Sequence, residues 1–493
     1  MNMDKKFKGT YFISSISLTS AITEFGISSI FTLFLLYVLH FSTPLAANAF
    51  SDYYGFAYSL PILIGYISDK YLNKSETITI GFISMILSQF ILSFSSSLYY
   101  PTNIEYNAYF FSLQNMTFAI GLFFLALGAS FTNLSVPHII NSINNEKTSK
   151  QAFAIYYPIL NLGVMIGVIL TSVIIGEDCY YLYKWVFLLF GIILTIGLIA
   201  FHLLKNKYLV DNEGKLMKDE KSKFSLRNVA KTHIHKVSSK STNENENLNL
   251  KEKMLMLIKS ISPNEKDRII VFLIFLIIII IYRISYSQTS ISMVFFIDAF
   301  VERDLNFYNV PVQLFCILNP LFILILGPLN IKFNKMLDEK NIEFGFIKKT
   351  IITLFIMTIC FGMMSVLSYF LDIDTLDKIN IIWILLFELF IAISELLFSV
   401  AGYSLVGDLV PERHYSFFFG LFIATRSVSM YFSGKLSTLF PENVTTSFHT
   451  NMPVNGLMNY FLIFVALNLI TAFLLIVFRK KLKRKMHLDE LTQ

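Results

Sequence analysis

One feature constrains this chain more than any other: apolar stretches long enough to cross a bilayer recur along its whole length. A helix rises about 1.5 Å per residue, so roughly twenty residues cross ~30 Å of hydrocarbon. Twelve such segments are predicted, at 11–39, 46–68, 77–99, 109–140, 151–176, 185–204, 269–297, 309–331, 349–371, 380–407, 414–438 and 455–478. The second, fourth and fifth are the least purely apolar, and a spanning helix tolerates Ser, Asn and Pro where neighbouring helices satisfy them. Charged residues make up only 15% of the chain, against about a quarter in a soluble protein. The 50 Phe suit lipid-facing helix surfaces. The expected class is an all-α membrane protein.

Basic residues set the orientation. Lys5, Lys6 and Lys8 precede the first segment, and Arg479, Lys480, Lys481, Lys483, Arg484 and Lys485 follow the last. The even-numbered connections hold Lys70, Lys74, Lys147, Lys150, a dense run over 205–268, Lys332 to Lys349, and Arg413. The opposite connections 40–45, 100–108, 298–308 and 439–454 are almost free of them, with Arg303 the exception. Both termini are therefore expected in the cytoplasm, and the first segment is read as an uncleaved helix.

The stretch 205–268 is polar, with a linker-like run from Ser238 to Asn249. It divides the chain into a six-helix bundle over 1–204 and another over 269–493. Two bundles that rock about a midplane site need a long connector of this kind. Within it only Lys251–Ile261 reads as helical, lying at the membrane surface.

Ionisable groups inside spanning helices are costly and therefore candidates for function. Glu24, Arg283, Glu388, Glu395 and Arg426 are such groups. Glu388 and Glu395 lie two turns apart, so their carboxylates share a face, roughly 10 Å apart along the axis. In a central wet cavity the pair could bind a proton or a cationic group, since desolvation favours the neutral acid and a nearby arginine the carboxylate. Either arginine could instead be a fixed strut neutralising a glutamate. Asn319-Pro320 falls mid-segment, where Pro320 frees a carbonyl toward a cavity. Tyr156, Tyr157 and Asn161 cluster near Gly163 and Gly167, which permit close helix approach. Cys179, Cys316 and Cys360 show neither metal nor disulfide spacing. The chain carries no HExxH, no Ser/His/Asp grouping and no Gly-rich phosphate loop, which argues against an enzyme.

Several stretches together resemble the proton-dependent oligopeptide transporter family of the major facilitator superfamily. Phe153-Ala-Ile-Tyr156-Tyr157-Pro-Ile-Leu-Asn161-Leu-Gly163 is similar to that family's FxxxYxxxNxG signature. Tyr58 to Pro61 resembles its YxxP lead-in, and Gly65 to Asp69-Lys70 the GxxxD(R/K) motif of the superfamily. Leu318-Asn319-Pro320 through Pro328 resembles its NPxxI segment, and Ser394-Glu395-Leu396 to Ser399 its GELxxSP pattern.

The resemblance implies a major facilitator fold whose two bundles open alternately to either side. It implies Tyr58, Asn161, Gln288, Asn319, Glu395 and Ser399 as cavity-lining residues, with the family's helix-ten glutamate meeting a peptide amino group. It places Phe422 where the family carries a tryptophan, and Gly65, Asp69 and Lys70 in a cytoplasmic gate. Departures accompany it. Where the family has ExxER, this chain reads Ser20-Ala-Ile-Thr23-Glu24-Phe25, with Glu24 at the arginine or the second glutamate position. The KPN lysine is replaced at Val136-Pro137-His138, and the helix-seven glutamate by Ser287. Both cations that would hold a substrate carboxylate are thus missing from their usual places, so either Arg283 takes over that task from the other bundle or the substrate lacks a free carboxylate there.

The implied activity is proton-coupled uptake of di- and tripeptides or peptide-like, amino-group-bearing solutes. The alternative is a carrier on the same scaffold, importing or exporting a non-peptide solute such as an amino-acid derivative, a cationic metabolite or a chelator. Glu24, Glu388, Glu395 and His138 are the proton-coupling candidates, and Tyr157 and Arg283 join the substrate-binding set. No cofactor is expected beyond the proton as coupling ion. The expected partners are the small-molecule or peptide substrate and the lipid bilayer, with no nucleic acid. The chain is expected to be a monomer in a bacterial inner membrane.

Overall fold

A computed structural model describes residues 3–98, 112–144, 146–176, 179–209, 262–340, 345–373, 375–410, 415–441 and 456–486. The first six helices are α1 (Met3–Tyr37), α2 (Thr43–Tyr71), α3 (Lys74–Ser97), α4 (Leu113–Ile143), α5 (Glu146–Ile175) and α6 (Tyr183–Tyr208). The seventh span is broken into α7 (Pro263–Tyr286), a 3-10 turn over Ser287–Ser290, and α8 (Ser292–Phe300). The others are α9 (Leu318–Glu339), α10 (Phe346–Asp372), α11 (Ile382–Leu409), α12 (Tyr415–Ser437) and α13 (Gly456–Met486). Nine spans among the described residues are long and apolar enough to cross a membrane; α2, α11 and α12 complete twelve.

Local sequence fixes several helix starts. Asn73 and Glu76 form a reciprocal capping box at α3, with side-chain bonds of 2.8 and 2.9 Å. Ser262 and Glu265 do the same for α7, with Pro263 in the first turn. At α13 the cap comes from another helix. The Asp372 carboxylate, at the end of α10, accepts from the Leu457 and Met458 N–H groups at 3.0 and 2.8 Å. Gly456 supports that approach with φ +85°, and a Cβ there would stand 2.7 Å from an Asp372 oxygen.

Lipid is as apolar as leucine, so helices associate through close packing rather than exclusion of water. The tightest partners are α3 with α4 and α1 with α5 in one bundle, and α10 with α13 in the other. A Cβ on Gly163 would lie 3.0 Å from both the Ala21 Cβ and the Leu18 carbonyl oxygen. Close approach of α5 to α1 through Gly163, as expected, is therefore built in. Across the bundles, α2 packs most extensively on α12.

Two sequence expectations are corrected here. Asn319 and Pro320 are not mid-helix: a 3-10 stretch over Val312–Ile317 precedes them, and both sit in the first turn of α9. A first-turn proline costs no ladder bond, because that N–H has no intrahelical acceptor. The connection between the bundles is also shorter at both ends than the expected linker 205–268, since α6 runs to Tyr208 and α7 starts at Pro263. The expected surface helix Lys251–Ile261 lies outside the described residues.

Candidate functional site

Polar and charged groups from seven spans gather where the bundles face one another. In the second bundle, one Glu395 carboxylate oxygen accepts from the Tyr286 hydroxyl at 2.8 Å and from the Asn319 amide at 3.2 Å. This joins α7, α9 and α11 around a half-buried acid. In the first bundle the Glu24 carboxylate on α1 accepts from the Asn133 amide on α4 at 3.2 Å. Arg426 on α12 bridges the two sides. Its guanidinium carbon lies 5.0 Å from the centroid of the Tyr58 ring on α2, a cation–π distance. Arg426 is exposed and within electrostatic reach of both Glu24 and Glu395. Arg283 acts on Glu395 and Tyr58 from α7, but it is half-buried and its Nε is sealed from solvent. Glu388 is 6% exposed and within electrostatic reach of Glu395, its neighbour on the same face of α11.

The structure thus brings together Glu24, Tyr58, Arg283, Asn319 and Glu395 of the expected set. Asn133 and Tyr286 were not among the expected site residues, and Arg426 was expected only as an intramembrane charge. Other expectations resolve differently. Gln288 faces no open space: it is fully buried, its side-chain carbonyl oxygen accepting from Ser292, Ser437 and Tyr460. The 3-10 turn points this amide into the bundle, where it braces α8, α12 and α13 together. Phe422 is 3% exposed, its ring packed near Phe419 rather than forming an open pocket wall. Asn161 is buried with its amide bonded to the Tyr157 carbonyl one turn earlier, at 3.0 Å. Tyr157 itself is 47% exposed. His138 is exposed on α4, on the cytoplasmic side of Asn133. Lys70 is exposed, its ammonium near the Tyr66 and Tyr71 rings, and Gly65 faces Leu134. The side chains of Asp69 and Ser399 lie outside the described residues.

Hydrogen bonds joining the bundles cluster at one end, the outer end by the distribution of basic residues. The Tyr37 hydroxyl donates to Asp298, Thr32 to the Ser290 carbonyl at 3.2 Å, and Gln313 to the Gly176 carbonyl at 2.9 Å. Lys435 donates to Asn48 at 2.9 Å, and Ser427 to the Gly55 carbonyl at 2.5 Å. Asp298 is also paired with Arg303 at 3.6 Å, which gives this outer-loop arginine a local partner. A cavity of about 320 Å³ lies here, bordered by Tyr37, Tyr180, Asp298, Arg303 and Gln313. Paired strands β1 (Val301–Glu302) and β2 (Ile379–Asn380) clasp two of the outer loops in parallel register. The central polar cluster therefore sits beneath a closed outer face.

Comparison with known proteins agrees with this arrangement. The Major Facilitator Superfamily profile matches residues 13–434. The chain is 22% identical to a dipeptide and tripeptide permease B of Aliivibrio fischeri, over 92% of this chain and 90% of that protein. It is 22% identical to a dipeptide and tripeptide permease A of Yersinia pestis, over 97% and 92%. Among solved structures, peptide transporter POT in complex with sulfate superposes with a TM-score of 0.75 at 16% identity, covering 97% of this chain and 96% of that one. A POT family transporter in complex with 5-aminolevulinic acid gives 0.73 at 17%, covering 96% of each.

Proposed function

The chain belongs to the Major Facilitator Superfamily, and from that premise we propose that it carries di- and tripeptides inward across the bacterial inner membrane, coupled to protons. The observation that carries the reading is the convergence of Glu24, Tyr58, Asn319, Glu395 and Arg426, from both bundles, beneath a bonded outer face. A carrier needs its site at the seam between two bodies, because only there does rocking expose the same residues first to one side and then to the other. The peptide-permease names of the relatives and the ordered family motifs supply the substrate class. Both favour a peptide over the alternative non-peptide solute.

Glu395 is positioned to receive the substrate amine. Tyr286 and Asn319 both bond one of its oxygens, which holds the carboxylate in place for a charge-assisted bond to a cation. Glu24 and Glu388 are the acids available for the coupling proton. Uptake of labelled di- and tripeptides into proteoliposomes, with and without an inward proton gradient, tests the reading. Gradient-stimulated uptake is expected, and folded protein that moves no peptide at all removes it.

A further inference from the structure

We infer that the cytoplasmic end of α13 binds an anionic phospholipid, with the phosphate held by Lys480, Lys481 and Arg484 and the acyl chains lying along the same face of the helix. The inference is independent of which solute the carrier moves.

One face of α13 carries it. Ile470, Phe473, Leu474 and Val477 are 49–62% exposed, and spacings of three and four residues put them in one stripe. The opposite face, with Leu475, Leu482 and Met486, is buried against the bundle. Continued toward the C-terminus, the exposed stripe passes through Lys480, Lys481 and Arg484, which are exposed as well. An uncovered apolar stripe on a spanning helix faces acyl chains, which are as apolar as leucine. The three cations therefore follow directly where the lipid-facing side chains end.

Their depth fits a headgroup. At ~1.5 Å of rise per residue, Lys480 to Arg484 lie roughly 3–9 Å beyond Phe478, the last apolar residue before the basic run. The polar zone on each side of the hydrocarbon is about 5–8 Å thick.

The charges also lack a counter-ion. Lys485 on the same turn bonds Asp267 of α7 at 2.6 Å, and Lys205 at the foot of α6 bonds the Ser75 hydroxyl at 2.6 Å. Among the described residues no acid or acceptor pairs with Lys480, Lys481 or Arg484. Lys480 and Lys481 stand four and three residues from Arg484, a spacing at which like charges on a helix repel. A helix C-terminus and a cytoplasmic end both favour basic residues, but neither supplies an anion to this face. A lipid phosphate does, and a guanidinium edge flanked by two ammonium groups matches its oxygens.

A second helix adds to the patch. Lys348 is exposed at the foot of α10, one and two turns before the lipid-facing Ile352 and Phe355. The α10 and α13 helices pack tightly and run antiparallel, with the Phe361 and Phe464 rings 5.0 Å apart. Counting equal steps along both from that ring pair sets Lys348 level with about Val477, one turn short of Lys481. A headgroup at this position is reached from both members of the pair.

The experiment titrates purified full-length protein in neutral detergent with dioleoylphosphatidylglycerol and, separately, with dioleoylphosphatidylcholine, counting bound lipid by native mass spectrometry. A basic residue near an anionic headgroup strengthens binding roughly fivefold, so wild type should prefer phosphatidylglycerol by on the order of 100-fold. The triple variant Lys480→Gln/Lys481→Gln/Arg484→Gln should bring the two lipids within about threefold of one another. Lys332→Gln/Lys335→Gln/Lys340→Gln, which removes the same charge from exposed positions on and just beyond α9, should keep the wild-type preference. Glycerol phosphate, which has the phosphate but no chains, should not displace the lipid at equal concentration. Wild type that binds both lipids alike overturns the inference. So does a preference that survives the α13 triple variant, an equal loss in the α9 variant, or displacement by glycerol phosphate. If the α13 triple variant does not fold, the three single exchanges are measured; each should weaken phosphatidylglycerol about fivefold, and three that bind like wild type overturn the inference too.

Discussion

Tyr37→Phe isolates one hydroxyl at the outer face and gives a measurable shift between the two orientations of the carrier. The Tyr37 ring stacks on Tyr180 of its own bundle, centroids 4.8 Å apart, and phenylalanine preserves that contact. What is lost is the hydrogen bond from the Tyr37 hydroxyl to Asp298 across the seam. A bond to a charged acceptor contributes roughly 1.5–3 kcal/mol when sealed. Here Asp298 keeps Arg303 at 3.6 Å, and the two side chains are 18% and 13% exposed. The low end of the range therefore applies. About 1.4 kcal/mol changes the ratio of outward-closed to outward-open protein about tenfold. If the open form is about 1% of wild type, it becomes about 10% in the variant. Pulsed electron-paramagnetic-resonance distances between spin labels on the outer ends of α1 and α8 would register the new population. Folded Tyr37→Phe with an unchanged distance distribution would refute the claim that this bond holds the outer face shut. Asp298→Asn, which weakens the same bond and the Arg303 pair together, should move the distribution in the same direction and further.

Glu395→Gln keeps the planar shape and one acceptor oxygen for Tyr286 and Asn319 but removes the charge, so peptide binding should weaken by about 10- to 100-fold in a competition assay. Wild-type affinity in that variant would dismiss Glu395 as the amine site. Gln288→Ala should leave substrate preference unchanged while lowering thermal stability by about 2 kcal/mol, because it removes three buried bonds that each contribute modestly in a membrane. Asp372→Ala should lower stability by about 1–2 kcal/mol, since two N–H groups at the start of α13 lose their acceptor. Gly456→Ala should act in the same direction, through both its positive φ and the crowding of Asp372.

Much of the architecture was legible because lipid leaves a chain so few options. Backbone groups must be satisfied inside each crossing segment, so hydropathy alone located α1, α3 through α10 and α13, and the lysine count fixed which ends face the cytoplasm. Gly163 was readable for the same reason: in lipid, small residues mark where helices touch. The site was legible only in part. Glu395 and Asn319 announced themselves through motifs, and Arg426 through the cost of a charge in a span. That Arg426 meets Tyr58 depends on how α2 and α12 cross, which no local pattern encodes. Asn133 and Tyr286 carry no signal beyond being polar in a helix, and most such residues are packing glue. Gln288 shows the reverse failure. Its polarity suggested a cavity, but the 3-10 turn at Ser287–Ser290 rotates it into the bundle, and a break of that kind in an otherwise apolar run leaves no trace in composition.

The bonds between the bundles at the outer end also set the tempo of a transport cycle. After a solute leaves toward the cytoplasm, the empty protein must part Tyr37 from Asp298, Lys435 from Asn48 and Gln313 from Gly176 before it can load again. A solute bound at the seam repays part of that separation; an empty seam does not. Return without cargo is then the slow step, so vesicles preloaded with unlabelled peptide should accumulate label faster than empty ones. Equal initial rates would mean that these contacts do not limit turnover.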